Sequence, residues 1–147
     1  MIEPRGFNHI GIAVRRIEDH LDFYQRVLGA RLEGVHDVPS QHVRVAFFVF
    51  GPPGGESRIE LVEATSPEAG VAKFIESHGE GLHHVTYDVD HLDDRLAALK
   101  AAGIRLIDEH PREGAHGTRI AFLHPKSTQS VLTELCELPA DKKASES

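Results

Sequence analysis

The feature that most constrains this chain is that its two halves read alike. Repetition at a fixed period decides an architecture before local propensity does, because each repeat must be the same supersecondary unit. Residues 6–33 read GFNHIGIAVRRIEDHLDFYQRVLGARLE and residues 81–108 read GLHHVTYDVDHLDDRLAALKAAGIRLID. A shift of 75 places Gly6 on Gly81, His9 on His84, Val14 on Val89, Ile17 on Leu92 and Leu21 on Leu96. One deletion then brings Gly29 onto Gly103 and Leu32 onto Leu106, and the resulting offset of 74 puts Phe48 on Phe122 and Glu60 on Glu134.

Each half opens with an apolar alternation, Ile10, Ile12, Val14 or Val85, Tyr87, Val89, which predicts a strand with one face on a core. The period then changes. Ile17, Leu21, Tyr24 and Leu28, or Leu92, Leu96 and Leu99, recur at helical spacing with acidic residues in the first turn, and Gly29 or Gly103 stands at the stop. Three further strands are predicted per half, at about 31–36, 43–50 and 57–63, then about 104–108, 118–123 and 131–137. The turn-rich GPPGGE and PREGAHG separate strands within the halves. The expectation is a single α+β domain, 1–138, of two βαβββ modules (about 6–64 and 81–138) joined by a linker, 65–80, with a flexible tail, 139–147.

Composition narrows the function classes. With 40% hydrophobic and 27% charged residues the chain can bury a core. A net charge of -7 argues against nucleic acid as a partner, since phosphate binding needs a basic face. No apolar run approaches the roughly 18 residues of a membrane span, and the start, MIEPR, lacks a basic segment followed by an apolar one. A cytoplasmic protein is expected. The single cysteine, Cys136, excludes an internal disulfide and an all-cysteine metal site. Eleven histidines are the one excess, and histidine serves metal sites and proton transfer near neutrality.

Strand parity turns that excess into a candidate site. With Ile10, Ile12 and Val14 toward the helix, His9 and Gly11 point to the opposite, concave side, as do His84 and Thr86 in the fifth strand. In IELVE the apolar Ile59 and Leu61 leave Glu60 on the concave side, and Glu134 shares a face with Leu132 and Cys136. Two histidines and two glutamates, related by the repeat, are predicted to converge in one cup. The spacings His9 to Glu60 (51 residues) and His84 to Glu134 (50 residues) agree across the halves. Two carboxylates buried together are costly without a compensating cation, so the quartet reads as a divalent metal site. Imidazole plus carboxylate suits Co²⁺, Ni²⁺, Mn²⁺, Zn²⁺ or Fe²⁺, and four protein ligands leave two octahedral positions open for catalysis.

These residues resemble the vicinal oxygen chelate superfamily, whose paired modules form an incomplete eight-stranded barrel around a metal. Within it, GFNHIGIAVRRIEDHLDFYQRVLGA, IELVEATSP, GLHHVTYDVD and above all EGAHGTRIAFLHPKSTQSVLTELCE are similar to the methylmalonyl-CoA epimerase family over about residues 7–137. The resemblance implies that His9, His84 and Glu134 are metal ligands, with Glu60 in the fourth ligand position. It implies an acyl-CoA substrate, a homodimer and one metal per chain, Co²⁺ first. It further implies inversion of C2 by proton abstraction and reprotonation through a metal-stabilised enolate. Glu134 resembles one acid/base group of the family. This chain departs from the family's best-studied members in having Glu60 at a glutamine position and Val45 where those members carry a catalytic glutamate. Glu60 is therefore the candidate for the second acid/base, or a ligand only.

Lesser candidates are Arg119, matched with Val45 across the repeat and able to meet the substrate carboxylate if it faces the cup, and Lys126 in HPKST, which could meet coenzyme A phosphates. The ordinary alternatives are a rim ion pair and a solvated lysine. His83 has the wrong parity for a ligand and is expected to be packed or exposed. Three other readings remain. A glyoxalase I-like lyase acting on a glutathione hemithioacetal would share the His, Glu, His, Glu order, but LHPKST differs from the DPDG-like turn of that family. An extradiol dioxygenase would leave Glu60 superfluous. A metal-free binding protein of the same fold would gain nothing from four polar cup residues.

Overall fold

The computed structural model describes residues 1–143, and the chain divides into two compact units, His9–His83 and Met1–Asn8 together with the chain from His84 onward. In the first unit, the strands are β1 (Gly6–Ala13, beginning just ahead of it), β2 (Arg31–Val38), β3 (Val43–Phe50) and β4 (Ser57–Ala64), in spatial order β2-β3-β4-β1. β3 runs antiparallel to both neighbours, and β1 runs parallel to β4 with Gly11 opposite Glu60. The parallel pair needs a crossover, which the helical segment after β1 begins. Val14, Ile17, Tyr24, Ala46, Phe48 and Leu61 form the core between sheet and helical segment.

That segment departs from the regular helix its period predicts. A 3₁₀ turn (Ile17–His20) gives way to a π-helical stretch (Phe23–Val27), closed by Leu28 N–H donating to Phe23 O at 2.8 Å. The π turn accommodates one extra residue and rotates the residues after it. Tyr24 is thereby stacked on Phe48, with ring centroids 5.0 Å apart, while Leu28 is turned out and Ala30 is buried in its place. Gly29 ends the segment at φ +77°, a left-handed conformation that a Cβ would strain.

The second unit repeats the plan more regularly in its helix and less so in its sheet. The strands β5 (Gly81–Asp88, beginning just before the unit), β6 (Arg112–Glu113), β7 (Arg119–Leu123) and β8 (Thr133–Glu137) lie in the order β5-β8-β7-β6. A regular helix over Leu92–Ala101 buries Leu92, Leu96 and Leu99 on Ala121, Leu123 and Leu135, and stops at Gly103, φ +82°.

The strand predicted at 104–108 is corrected: it is reduced to one bridge, Leu106 to Leu123, and a short strand forms later, at Arg112–Glu113. The reason lies in Asp108. Its carboxylate accepts the Phe122 backbone N–H at 2.9 Å and pairs with Arg112, so at that point a side chain takes the place of a main-chain acceptor.

Within the segment expected as a linker, α1 (Gly70–His78) packs against β4, burying Val71. Of the tail, Ala140–Lys143 form one helical turn held by Lys143 on Glu137 and Asp90, both at 3.1 Å; the rest of the expected flexible tail, 144–147, lies outside the described residues. Among the described residues no helix is long and apolar enough to cross a membrane.

Candidate metal centre

Each unit buries one histidine and one glutamate from neighbouring strands. In the first, His9 on β1 and Glu60 on β4 bring Nε2 and Oε1 to 3.7 Å, in the low-dielectric company of Val45, Phe47 and Val62. The His9 ring meets the Phe47 ring edge-on at 5.5 Å and 89°. In the second, His84 on β5 and Glu134 on β8 stand 3.9 Å apart, and His84 meets Phe122 at 5.6 Å and 89°. Ile120, Phe122 and Cys136 line that pair's face of the sheet. All four residues are buried.

The two aromatic contacts correct the repeat register. Phe47 lies opposite Glu60 and Phe122 opposite Glu134, so Phe47, not Phe48, is the counterpart of Phe122. The offset at the third strand is therefore 75, Val45 corresponds to Ile120, and Arg119 corresponds to Arg44. Arg119 consequently belongs to the helix side of its sheet. Its guanidinium is bound by Asp93 at 2.6 Å and Glu137 at 3.3 Å, which removes it from the substrate-carboxylate role. Lys126 sits exposed on the turn Pro125–Ser127.

The histidine–carboxylate spacings bear on what the pairs can do. Both exceed direct hydrogen-bond length, about 2.7–3.2 Å. Two ligands each about 2.1 Å from one ion stand about 3.0–4.2 Å apart as their angle opens from 90° to 180°, and each pair's own spacing falls in that range. Each histidine ring packs perpendicular to its phenylalanine. Glu134 Oε1 accepts a hydrogen bond from Thr86 Oγ1 at 2.9 Å, across the register pair Thr86–Glu134, whereas the residue opposite Glu60 is Gly11.

His83, adjacent to the pair-forming His84, is packed as its parity predicts, edge-on to Phe74 of α1 at 4.9 Å. Burial pushes its imidazole down to about 4 against the opposing charge of Glu60, so it is neutral at pH 7. Strand parity in the sequence places all four pair-forming residues. It misses the roles of Phe47 and Phe122, whose signal is an aromatic one residue pair away from each glutamate in the neighbouring strand.

Comparison with known proteins places this arrangement. The family model of the glyoxalase/bleomycin resistance protein/dioxygenase superfamily matches residues 8–122. The uncharacterized protein YqjC of Bacillus subtilis is 42% identical over 92% of this chain and 94% of its own. The mitochondrial methylmalonyl-CoA epimerase of Homo sapiens is 33% identical over 87% of this chain and 71% of its own. A solved methylmalonyl-CoA epimerase, in complex with methylmalonyl-CoA and NH4⁺, superposes with a TM-score of 0.86 at 33% identity, covering 94% of this chain and 97% of that one. Sharing both sequence and fold with these relatives, the chain belongs to the glyoxalase/bleomycin resistance/dioxygenase superfamily and, within it, to the methylmalonyl-CoA epimerase family.

Proposed function

We propose that this protein interconverts the C2 epimers of methylmalonyl-CoA with the help of one divalent cation held by His9, Glu60, His84 and Glu134. The observation that carries the reading is the pair of buried His–Glu couples at equivalent places of the repeat, each at a spacing suited to sharing an ion. His9, His84 and Glu134 are buried residues of metal-binding type, and Glu60 stands beside His9. The donors, two imidazoles and two carboxylates, suit Co²⁺ before the alternatives Ni²⁺, Mn²⁺, Zn²⁺ and Fe²⁺ only by the family resemblance; their chemistry accepts all five.

When bound, the cation supplies Lewis-acid stabilisation to the negative charge that proton loss places on the thioester oxygen. The remaining work falls to this chain's own side chains. Inversion requires a base on one face of C2 and an acid on the other. Glu60 and Glu134 come from repeat-equivalent strands and supply the two carboxyl groups; Glu60 takes the place of the absent third-strand acid, since Val45 and its counterpart Ile120 cannot move a proton. Phe47 and Phe122 keep water from the exchanging proton. Lys126, exposed on its turn, is the candidate for meeting a coenzyme A phosphate.

The test is exchange of the C2 hydrogen of methylmalonyl-CoA in D₂O with added Co²⁺. Deuterium should appear at C2 of both epimers, and the glutathione hemithioacetal of methylglyoxal should be a poor substrate. Preference for the glutathione adduct overturns the choice of substrate.

A further inference from the structure

We infer that Ile107, Arg105 and Lys126 form a track for the coenzyme A arm, with Arg105 and Lys126 taking one of its phosphates; the inference rests on the acyl-CoA reading above. The track starts beside the site. Phe122, in register with Glu134, accepts the Ile107 backbone N–H at 2.9 Å, and the next bridge joins Leu106 to Leu123. Ile104 and Leu106 pack into the helix-side core, so Arg105 and Ile107 are turned to the face that carries Phe122 and Glu134. Ile107 is 49% exposed there, and Arg105 is exposed two residues farther from Phe122.

The turn after β7 brings in the second cation. His124 N–H donates to Arg105 O at 3.0 Å and Arg105 N–H donates to Ser127 Oγ at 2.9 Å, which ties Arg105 to the turn Pro125–Ser127 that presents Lys126. His124 Nδ1 accepts the Lys126 backbone N–H at 3.1 Å, so the ring hydrogen is on Nε2, a further donor. Neither cation is neutralised. In a chain of net charge -7, every other arginine reaches a carboxylate within 4.0 Å, whereas among the described residues neither Arg105 nor Lys126 has one. An exposed apolar residue leading from the site to two such cations matches a ligand whose largely apolar arm ends in phosphate. Local charge of this kind is what an acidic protein needs to attract an anion.

Arg105→Gln and Lys126→Gln remove the charges singly and together, and Lys73→Gln removes an exposed cation from the other unit as a control for net charge. C2 exchange with added Co²⁺ is followed on methylmalonyl-CoA and on methylmalonyl-pantetheine, which has no phosphate. On the coenzyme A thioester Arg105→Gln and Lys126→Gln should each raise KM about 5–10-fold with kcat unaltered, and the double variant should raise it further. On the pantetheine thioester all three should match wild type, as Lys73→Gln should on both substrates. A wild-type KM for methylmalonyl-CoA in the double variant overturns the inference. So does an equal loss on both thioesters, because the phosphate would then not be the group held, and so does an equal rise in Lys73→Gln, because net charge would be responsible. Calorimetry with free coenzyme A separates the track from the reaction. Wild type that binds coenzyme A more tightly than the double variant yet exchanges no C2 hydrogen overturns the proposed reaction alone; equal binding by the two proteins overturns the track.

Discussion

The two units solve the same structural problem with the same residues up to a point, and the point at which they diverge is where function enters. In both, an arginine on the third strand of the module ties the helical segment to the final strand: Arg44 to Glu18 and Glu63, Arg119 to Asp93 and Glu137. In both, that final-strand glutamate also accepts the first N–H of the helical segment, Ile17 at 2.8 Å and Leu92 at 3.3 Å. An orphan helix donor is thus satisfied from the sheet, not from a local cap. The helix faces repeat less faithfully, because the first carries a π turn and exposes Phe23, Val27 and Leu28 while its counterpart buries Leu92, Leu96 and Leu99. On the opposite face the His–Glu–Phe triples match, while Gly11 against Thr86 and Val45 against Ile120 differ. Scaffold positions can drift when packing compensates; the His–Glu–Phe triples keep their spacings in both units.

The comparison is broken most severely at the histidines. His84→Ala and His9→Ala should each lose stoichiometric Co²⁺ and abolish C2 exchange, and the loss of ligand linkage should lower thermal stability by about 4 kcal/mol where free Co²⁺ stands 1,000-fold above its Kd. Metal analysis and melting with and without chelator check both. Full activity in metal-free protein would end the metal reading.

Next in size is Glu60→Gln. The amide oxygen can still bind metal but cannot carry a proton, so Co²⁺ content should persist while exchange falls by about 10²–10⁴-fold, about 3–5 kcal/mol of barrier. Near-normal turnover of the metal-replete variant would make Glu60 a ligand only. Glu134→Gln should likewise keep Co²⁺ while exchange falls, because Glu134 supplies the other carboxyl group.

How much of this is legible in the sequence depends on which interactions are local in pattern. Period-2 alternation places His9, Glu60, His84 and Glu134 on the correct face because each strand's parity is set by its own apolar residues. The βαβββ order and the stops at Gly29 and Gly103 are legible for the same reason. Three features are not. The π turn at Phe23–Val27 is invisible to a period of 3.6, because Leu28 fits the face it does not occupy. The strand at 104–108 has strand composition, yet Asp108 captures the Phe122 amide and ends the ladder. The one-residue error at Phe48 arises from carrying an offset across two loops of unequal length, and it sends Arg119 to the wrong face; only the pairing of Phe47 with Glu60 and Phe122 with Glu134 resolves it.

The helix difference sharpens into a stability prediction. Leu96 is 1% exposed in a regular helix, while its counterpart Leu21 is only partly buried beside the irregular turn. Leu96→Ala should cost about 2–5 kcal/mol, and Leu21→Ala should fall below that range because a less enclosed site leaves a smaller cavity. Urea denaturation of both variants measures the difference; equal costs would mean that the π turn packs as tightly as the regular helix.

The smallest effect concerns a carboxylate that serves only the first unit. Glu80 accepts the Arg15 backbone N–H at 2.9 Å and pairs with His20 at 3.0 Å. The Arg15 N–H holds its carboxyl below the usual range, with the His20 charge adding to the effect and partial burial opposing it. A carboxyl lowered on folding contributes stability that is fully present above its unfolded value, about 4.3, and is lost as pH falls through the folded value. Glu80→Gln keeps an acceptor and removes the charge, so at pH 7 it should cost no more than about 0.2–1 kcal/mol, the range for a largely solvated pair. For a chain of this size that is a fall in Tm of at most about 4 °C. Below its lowered folded value the wild-type carboxyl is itself neutral, so the two proteins should melt together there. An equal deficit at both pH values would show that Glu80 acts through its shape, and that charge contributes nothing to the contact.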